Sequence, residues 1–363
     1  MRPPEPPPAV RLPTACTGAV RAVAGTGVVG AVAGTGVVGA VAGTGAVRAV
    51  VVRAEDAPGP TLVVRLDRLP PGALGLAEEL AHVRHALAPT PYTALNKIAL
   101  YGPSTRPSGA SPGPGTGTGT GPGHGPSPGH GPSPGHGPAA LDYRFVQALP
   151  DGRFDFRAGC GHSLLAAVVA DGRPGPVTVR AVTTGDTVLC TPEGDGAYTL
   201  DFLRAPTAPG TLPTGRPVDV LDGVPVSLVR YGNPYVLVDA RLLPAHRLRE
   251  RLLDLRARAG RLLGYAPHSP LPKIAAFDRS PHGLLVRALT VGGWHPRLAL
   301  TGAAALAAAG AIDGTVVPGP VGLIRTPGGD VTVSATPDRV RVHRKRARIL
   351  GELEVTWRIH ATA

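Results

Sequence analysis

The sequence predicts an α+β protein made of two similar halves. Strand-like runs of β-branched residues alternate with short helical segments. Three short segments recur in the same order in both halves: 49–54 with 235–240, 97–99 with 273–275, and 160–161 with 301–302. Lys97 and Cys160 lie 63 positions apart, or 33 without a 30-residue insert, against 28 between Lys273 and Thr301. Shared order and comparable spacing indicate an internal duplication.

Composition changes along the chain predict where the domains begin and end. The predicted parts are a low-complexity segment at 1–45, a first domain at 46–205 with a disordered Gly/Pro/His insert at 109–138, a second domain at 218–335, and C-terminal strands at 336–363 that return to the first domain. Residues 206–217, rich in proline and glycine, form the passage between the halves.

The first 50 residues contain a nine-residue repeat that begins at Ala24 and is written AGTGVVGAV, AGTGVVGAV, AGTGAVRAV. The uncharged stretch 22–47 is long enough to span a bilayer. It contains only Ala, Val, Gly and Thr and has no aromatic anchor, so we predict no membrane span. The residues before it lack the apolar core of a signal peptide.

The expected elements follow the chain in order. Residues 74–87 and 247–263 have the spacing of amphipathic helices. Residues 161–170 and the alanine-rich stretch after Thr301 are apolar on every side, which is typical of short buried helices. The expected strands are 48–56, 96–101, 141–147, 152–156, 177–182, 187–190, 224–229, 232–240, 273–277 and 284–289.

The insert 109–138 has too few apolar residues to form a core. It places His124, His130 and His136 in identical Gly-His-Gly settings. A chain of this composition does not hold ligands in a fixed geometry, so we predict no dedicated metal site.

The three cysteines Cys16, Cys160 and Cys190 fit neither a disulfide framework nor a zinc site, and a reducing cytoplasm is the expected location.

The net charge of +12 suits anionic ligands. Nucleic acid is not expected, because the basic residues lack interleaved aromatic residues or a recognition helix, and the cluster at 343–348 is typical of a solvated strand. Only three of the 37 basic residues are lysines: Lys97, Lys273 and Lys345. A lysine exchanges protons where an arginine effectively does not, so these positions are candidates for chemistry.

The strongest candidate site is the segment around Cys160, where a strand-like run ends in Gly-Cys-Gly and an apolar helix follows. A helix N-terminus lowers the pKa of a thiol and attracts anions. A second helix start occurs around Thr301, and two such ends facing one another would bind a substrate with several carboxylates. Thr301 has no titratable side chain near neutral pH, which excludes a symmetric two-thiol mechanism.

At this level of detail the sequence resembles the PrpF-type isomerases over residues 48 to 355, apart from the insert. The shared motifs are Asn-Lys-Ile-Ala at 96–99 with Gly-Pro-Ser after it, Asp-Tyr-Arg-Phe at 142–145, Cys-Gly at 160–161, Asp-Gly-Val-Pro-Val-Ser at 222–227, Asn-Pro at 233–234, Pro-Lys-Ile-Ala at 272–275, the block from 295 to 302, Ile-Asp-Gly-Thr-Val at 312–316, and Arg-Ala-Arg at 346–348.

The resemblance implies a diaminopimelate-epimerase-like fold, with two pseudo-symmetric domains that each wrap a curved sheet around a central helix. It implies a cofactor-independent isomerase, without metal, that shifts a double bond in a small unsaturated di- or tricarboxylate. Catalysis is then expected from Cys160 and Lys97. The residues expected to bind the substrate are Gly161, His162, Ser163, Asn233, Lys273, Arg287, His295, Thr301 and Gly302.

Two departures from the family pattern fall where substrate is expected to bind. The usual Gly-Gly-Thr-Ser-Lys/Arg segment is matched best by residues 44–48, which lack its hydroxyls after Thr44, and the usual Cys-Gly-Asn is Cys-Gly-His at His162. The sequence therefore leaves open a carboxylate-binding relative with impaired catalysis, and an epimerase of the same fold. It also leaves open whether the protein is a homodimer.

Overall fold

The computed structural model describes residues 45–67, 75–88, 90–104, 140–290 and 293–357. The strands are β1 Gly45–Ala54, β2 Thr61–Arg65, β3 Lys97–Pro103, β4 Leu141–Ala148, β5 Phe154–Asp155, β6 Val177–Ala181, β7 Thr187–Pro192, β8 Ala197–Phe202, β9 Asp219–Leu221, β10 Val224–Tyr231, β11 Asn233–Asp239, β12 Lys273–Ser280, β13 Gly283–Thr290, β14 Gly293–Trp294, β15 Leu323–Thr326, β16 Gly329–Thr336 and β17 Arg339–Trp357. The helices are α1 Leu76–Leu87, α2 Gly161–Asp171, α3 Leu248–Leu262 and α4 Leu300–Gly310. The predictions for residues 1–44 and for the insert 109–138 lie outside the described residues.

The strands of the first half close into a barrel around α2. Neighbouring strands pair in the order β1, β2, β3, β4, β6, β7, β8. The long strand β17 closes the ring, because its residues 340–346 pair with β8 and its residues 347–357 pair with β1. Two pairs, β2 with β3 and β4 with β6, are parallel, and the chain between the strands of each pair contains a helix.

The second half repeats this order. Its strands pair in the order β9, β10, β11, β12, β13, β15, β16, and β16 joins β17. The parallel pairs are β11 with β12, connected through α3, and β13 with β15, connected through α4. Helix α4 packs against β10, β11, β16 and β17, as α2 packs against β1 to β4, β6 and β17. The predicted fold, two pseudo-symmetric domains with curved sheets around central helices, is confirmed.

The two central helices are buried on every side because their residues are small and apolar. In α2 the side chains from Leu164 to Val168 are at most 3% exposed, and in α4 those from Ala303 to Ala309 are at most 1% exposed. A helix that is apolar all round is stable only inside a core. The helices α1 and α3 are instead amphipathic, as their spacing predicted, and bury one face through residues such as Leu80 and Leu252.

The structure corrects one correspondence between the halves. The sequence paired the strand at 49–54 with 235–240, but the strand register assigns that place to β2. Leu62 of β2 lies opposite Ile98 in a parallel pair, and Val236 of β11 lies opposite Ile274 in the same way. Both β1 and β2 are rich in valine, so their composition does not distinguish them. The counterpart of β1 is β10, the antiparallel neighbour of β11.

The insert joins the two strands of a hairpin. Pro103 at the end of β3 lies opposite Leu141 at the start of β4, and the amide of Ser104 donates to the carbonyl of Ala140 at 3.4 Å. In the second half the equivalent hairpin of β12 and β13 closes with a two-residue turn after Ser280. Lys97 lies at the opposite end of β3, about 20 Å away at roughly 3.3 Å per residue.

Among the residues that the structure describes, no helix combines the length and the apolar character needed to cross a bilayer. The repeat before residue 45 lies outside that part of the chain.

Replacing residues 105–139 with Asn-Gly is expected to keep the fold and to raise the free energy of unfolding by about 2 kcal/mol. The reason is that a two-residue turn closes the hairpin with less loss of chain entropy than 35 residues do. Urea unfolding of the two proteins measures the change. A protein with the short turn that no longer folds would show that the insert contributes to the structure.

Candidate active site

The helix start singled out in the sequence is the N-terminus of α2. Cys160 is the N-cap residue with an extended backbone (φ −145°, ψ 108°), and Gly172 ends the helix in the left-handed conformation. The hydroxyl of Tyr143 donates a hydrogen bond to the Cys160 carbonyl at 3.0 Å. The first amides of α2, at 161–163, have no partner inside the helix. An anion next to Cys160 is therefore stabilised by free donors and by the helix dipole.

The N-terminus of α4 lies against that of α2. A Cβ added to Gly161 would be 2.6 Å from the Cβ of Leu300, so the helices approach this closely only because residue 161 is glycine. The amides of Gly302 and Ala303 both donate to the carbonyl of Ala299, at 2.8 and 3.0 Å. The amides of Gly302 and Ala303 therefore already have an acceptor within α4. The anion-binding role expected of Gly302 falls to the residues that precede it in the first turn of the helix.

Asn233 connects the two helix starts. Its Oδ1 accepts from the Gly159 amide at 2.7 Å, while its Nδ2 donates to the Gly159 carbonyl at 2.8 Å and to Thr301 Oγ1 at 3.3 Å. The preceding Gly232 has φ +75°, and a Cβ there would lie 2.7 Å from Thr301 Cγ2. The amide of Asn233 is occupied by protein partners, so this residue positions Cys160 relative to Thr301.

Lys97 and Lys273 occupy equivalent places, each as the first residue of a strand that pairs in parallel with its neighbour. Lys97 is buried, and its Nζ donates to the Gly59 carbonyl at 3.3 Å. Burial lowers the pKa of both lysines, and the charge of Cys160 opposes that shift in each case. Cys160 is thus close enough to interact with two ammonium groups, one from each half.

Two buried histidines, His162 and His295, lie in the same region as the two lysines. The rings of His162 and His295 are stacked with centroids 6.2 Å apart. Burial lowers the pKa of His295 to about 4 and that of His162 well below its usual range, and the charge of Lys97 acts in the same direction. The amide of Arg297 donates to His295 Nδ1 at 3.2 Å, so the neutral ring carries its proton on Nε2. His162 Nε2 is buried without a hydrogen-bond partner.

These groups surround a cavity of about 40 Å³, here called the inner cavity. Its described lining residues are Pro58, Lys97, Phe145, Gln147, Gly159, Cys160, His162, Asn233, Lys273, Thr290, His295, Ala299 and Thr301. That lining contains two lysines and no carboxylate, and both helix N-termini contribute to it. The inner cavity therefore favours an anion and offers a thiol and two amines for proton transfer.

Four residues predicted to bind substrate lie outside that lining: Gly161, Ser163, Arg287 and Gly302. The Ser163 hydroxyl is hydrogen-bonded to Thr61 Oγ1 at 2.9 Å within the core, and a Cβ on Gly302 would lie 2.8 Å from the Tyr235 hydroxyl. Arg287 lies on the exposed face of β13, with its guanidinium 4.2 Å from the centroid of the Trp294 ring. Side chains alternate between the faces of a strand, and Ala288 rather than Arg287 points to the core.

The sequence indicated residues 44–48 as the segment that matches the family's substrate-binding motif. A different segment lies next to Lys97. Residues 45–48 belong to β1, where Gly45 pairs with Trp357 at the end of β17, and Arg48 forms an ion pair with Glu352. The turn between β1 and β2 reaches the inner cavity instead, through Pro58. Residues 57–60, Ala-Pro-Gly-Pro, looked only like a strand boundary, so the sequence contained no signal for this role.

No group of three or more His, Cys, Asp or Glu side chains within the described ranges is arranged to hold a metal ion. His124, His130 and His136 fall outside those ranges.

Asn233→Ala is expected to lower the free energy of unfolding by about 2–4 kcal/mol, because it removes three hydrogen bonds. The half-buried peptide groups of Gly159 and the buried hydroxyl of Thr301 then lose these partners. Thr301→Val removes one of these bonds and the hydrogen bond between Thr301 and the Tyr235 hydroxyl, so about 1–2 kcal/mol is expected for it. Urea unfolding measures both changes. Equal effects of the two substitutions would contradict the bridging role of Asn233.

The stability of the protein should fall as the pH drops from 6.5 towards 4. The folded state keeps His295 neutral down to about pH 4, whereas the unfolded chain takes up the proton near pH 6.5. His295→Asn keeps an acceptor for the Arg297 amide and should reduce this loss by on the order of 3 kcal/mol. Urea unfolding at pH 7 and pH 4 measures it. His268→Asn, at an exposed site, is the control and should leave the loss unchanged.

No protein-family model matches this chain. It is 28% identical over 225 aligned residues to "Putative isomerase YbhH" of Escherichia coli K12, a match that covers 49% of this chain and 64% of the relative, and the same protein of Shigella flexneri matches equally. The matched part thus spans less than two thirds of the length of these relatives.

Two solved structures share the fold. Methylitaconate-delta-isomerase superposes with a TM-score of 0.56 at 21% identity, covering 87% of this chain and 96% of that one. A hydroxyproline epimerase from Agrobacterium vitis, with bound trans-4-hydroxy-L-proline, gives 0.51 at 16% identity, covering 86% and 93%. The chain thus has the diaminopimelate-epimerase-like fold, and the resemblance to the PrpF-type isomerases is confirmed.

Proposed function

We propose that this protein is a cofactor-independent isomerase that moves a double bond in a small unsaturated di- or tricarboxylate. The observation that carries the proposal is the composition of the inner cavity. One thiol, Cys160, and two lysines, Lys97 and Lys273, meet there without a carboxylate among the described lining residues. Such a cavity attracts a polyanion and offers groups that both accept and donate protons.

The proposed reaction is an allylic proton shift. One of the pair Cys160 and Lys97 takes a proton from the carbon next to the double bond, and the electron pair moves into a dienolate conjugated with a carboxylate. The other group then returns a proton to the far carbon of the former double bond. The reaction consumes no electrons and no co-reactant, since one proton leaves the substrate and one returns.

The negative charge of the dienolate needs donors that are already in place. The first amides of α2 lie beside Cys160, and Lys273 contributes an ammonium group from the second half. His295 lines the same cavity as a neutral ring whose Nε2–H group is a donor. Burial strengthens each of these interactions because little water competes. Asn233 keeps the two halves at a constant separation.

The comparisons support this direction. The relatives from Escherichia coli and Shigella flexneri are named as an isomerase, and one structural neighbour is a methylitaconate-delta-isomerase. The other neighbour is an epimerase, but here the position across from Cys160 is Thr301, which has no thiol. A one-thiol cavity favours a double-bond shift over a symmetric two-thiol racemisation.

We also propose a cytoplasmic location. The thiols of Cys160 and Cys190 are free, which supports it.

Incubation of the protein with candidate acids in deuterium oxide tests the proposal, with NMR as the readout of solvent exchange and isomerisation. Cys160→Ser and Lys97→Arg should each lower the exchange rate by about 10²–10⁴-fold, because serine is a poor base and arginine does not exchange a proton at neutral pH. Cys190→Ala, which removes a buried thiol remote from the inner cavity, is the control and should retain the rate.

Full exchange in both Cys160→Ser and Lys97→Arg would refute the assignment of catalytic residues. Tight binding of the acids by calorimetry, with no exchange in the unaltered protein, would indicate a carboxylate-binding protein instead of an isomerase. Exchange restricted to a saturated α-carbon would indicate an epimerase.

A further inference from the structure

A second, larger space adjoins the inner cavity. This outer cleft has a volume of about 350 Å³, against about 40 Å³ for the inner cavity. The two share four lining residues: Pro58, Lys97, Gln147 and Thr290. Lys97 therefore lies on the boundary between them, with the thiol of Cys160 on the inner side only.

The inner cavity is too small to hold a whole substrate. A cavity needs about 10–15 Å³ for each water, so 40 Å³ accommodates about three water molecules. The outer cleft falls in the range of about 300–1,000 Å³ that is typical of ligand pockets. A substrate whose reacting carbons reach Lys97 and Cys160 must extend into the outer cleft.

The walls of the outer cleft differ from those of the inner cavity. Pro58, Pro60, Pro91, Leu95 and the ring of Tyr92 provide apolar surface, so the cleft suits carbon chain as well as carboxylate. Arg53 is the guanidinium on its rim, and the described lining contains no acidic residue.

The position of Arg53 in the sheet favours an anionic ligand. On the paired strands β1 and β17 it lies directly opposite Arg348, and like charges in that position destabilise a sheet. Arg48 on the same strand forms an ion pair with Glu352, whereas neither Arg53 nor Arg348 has an ion pair within the described part of the chain. The charge of Arg53 also lowers the pKa of Lys97, so the two groups act on one another across the cleft.

We propose that the outer cleft binds an arm of the substrate that is several carbons long and ends in a carboxylate held by Arg53. The substrate is then an unsaturated dicarboxylate with an extended acidic substituent, and the double-bond shift takes place at its other end, next to Lys97 and Cys160. This inference rests on the proposed isomerase function and specifies its substrate class.

Three acids that undergo the same allylic shift test the proposal: itaconate, 2-butylidenebutanedioate and 2-(4-carboxybutylidene)butanedioate. They carry no arm, an apolar arm and an acidic arm. We expect kcat/KM for deuterium exchange to be at least about 10-fold higher for the acidic arm than for the apolar arm, because the guanidinium forms charge-assisted hydrogen bonds with the carboxylate. Arg53→Gln should reduce that ratio to near one.

Arg348→Gln is the matched control, because it removes the opposing charge from the same strand pair without removing a residue of the outer cleft. The ratio should persist in this variant. Equal rates for the acidic and apolar arms, or a ratio unchanged by Arg53→Gln, would overturn the proposal. If no acid exchanges, the proposed reaction fails, and calorimetry with the saturated forms of the three acids still decides whether Arg53 binds the acidic arm.

Discussion

The side-chain amide of Asn233 holds the site together, because it connects residues that are far apart in the chain. It bonds both to the peptide group of Gly159, which precedes the thiol, and to Thr301 at the start of the second central helix. The two helix N-termini can meet only because Gly161 and Gly232 have no side chain in the way. Without these contacts, the two halves would each present part of an anion site.

Charge sets the second condition on the site. An inner cavity with two lysines, two helix N-termini and no described carboxylate would be costly to maintain if it had no anionic ligand. Burial lowers the pKa of Lys97, Lys273 and both histidines, which limits the repulsion among them. The same depressed pKa values bring the lysines closer to the range in which they exchange protons, so stability and chemistry depend on one environment.

Much of the architecture could be read from local patterns. The apolar helices after Cys160 and before residue 310 were predicted as buried, and they are the centres of the two sheets. The repeated Lys-Ile-Ala and helix-start motifs identified the duplication, since each has a fixed place in the unit. The sequence matched β1 instead of β2 to the strand at 235–240, because β1 and β2 have similar compositions. Only the register of hydrogen bonds separates the two strands.

The sequence by itself determined the two-fold repetition, the buried helices and the residue types for proton transfer, because each depends on residues close together in the chain. Tertiary structure alone decided which side chains converge. It excluded Arg287 from the inner cavity through strand alternation, committed Asn233 to protein partners, and placed the Pro58 turn beside Lys97. Such proximity depends on sheet register and on the packing of one half against the other, and neither leaves a periodic trace in the sequence.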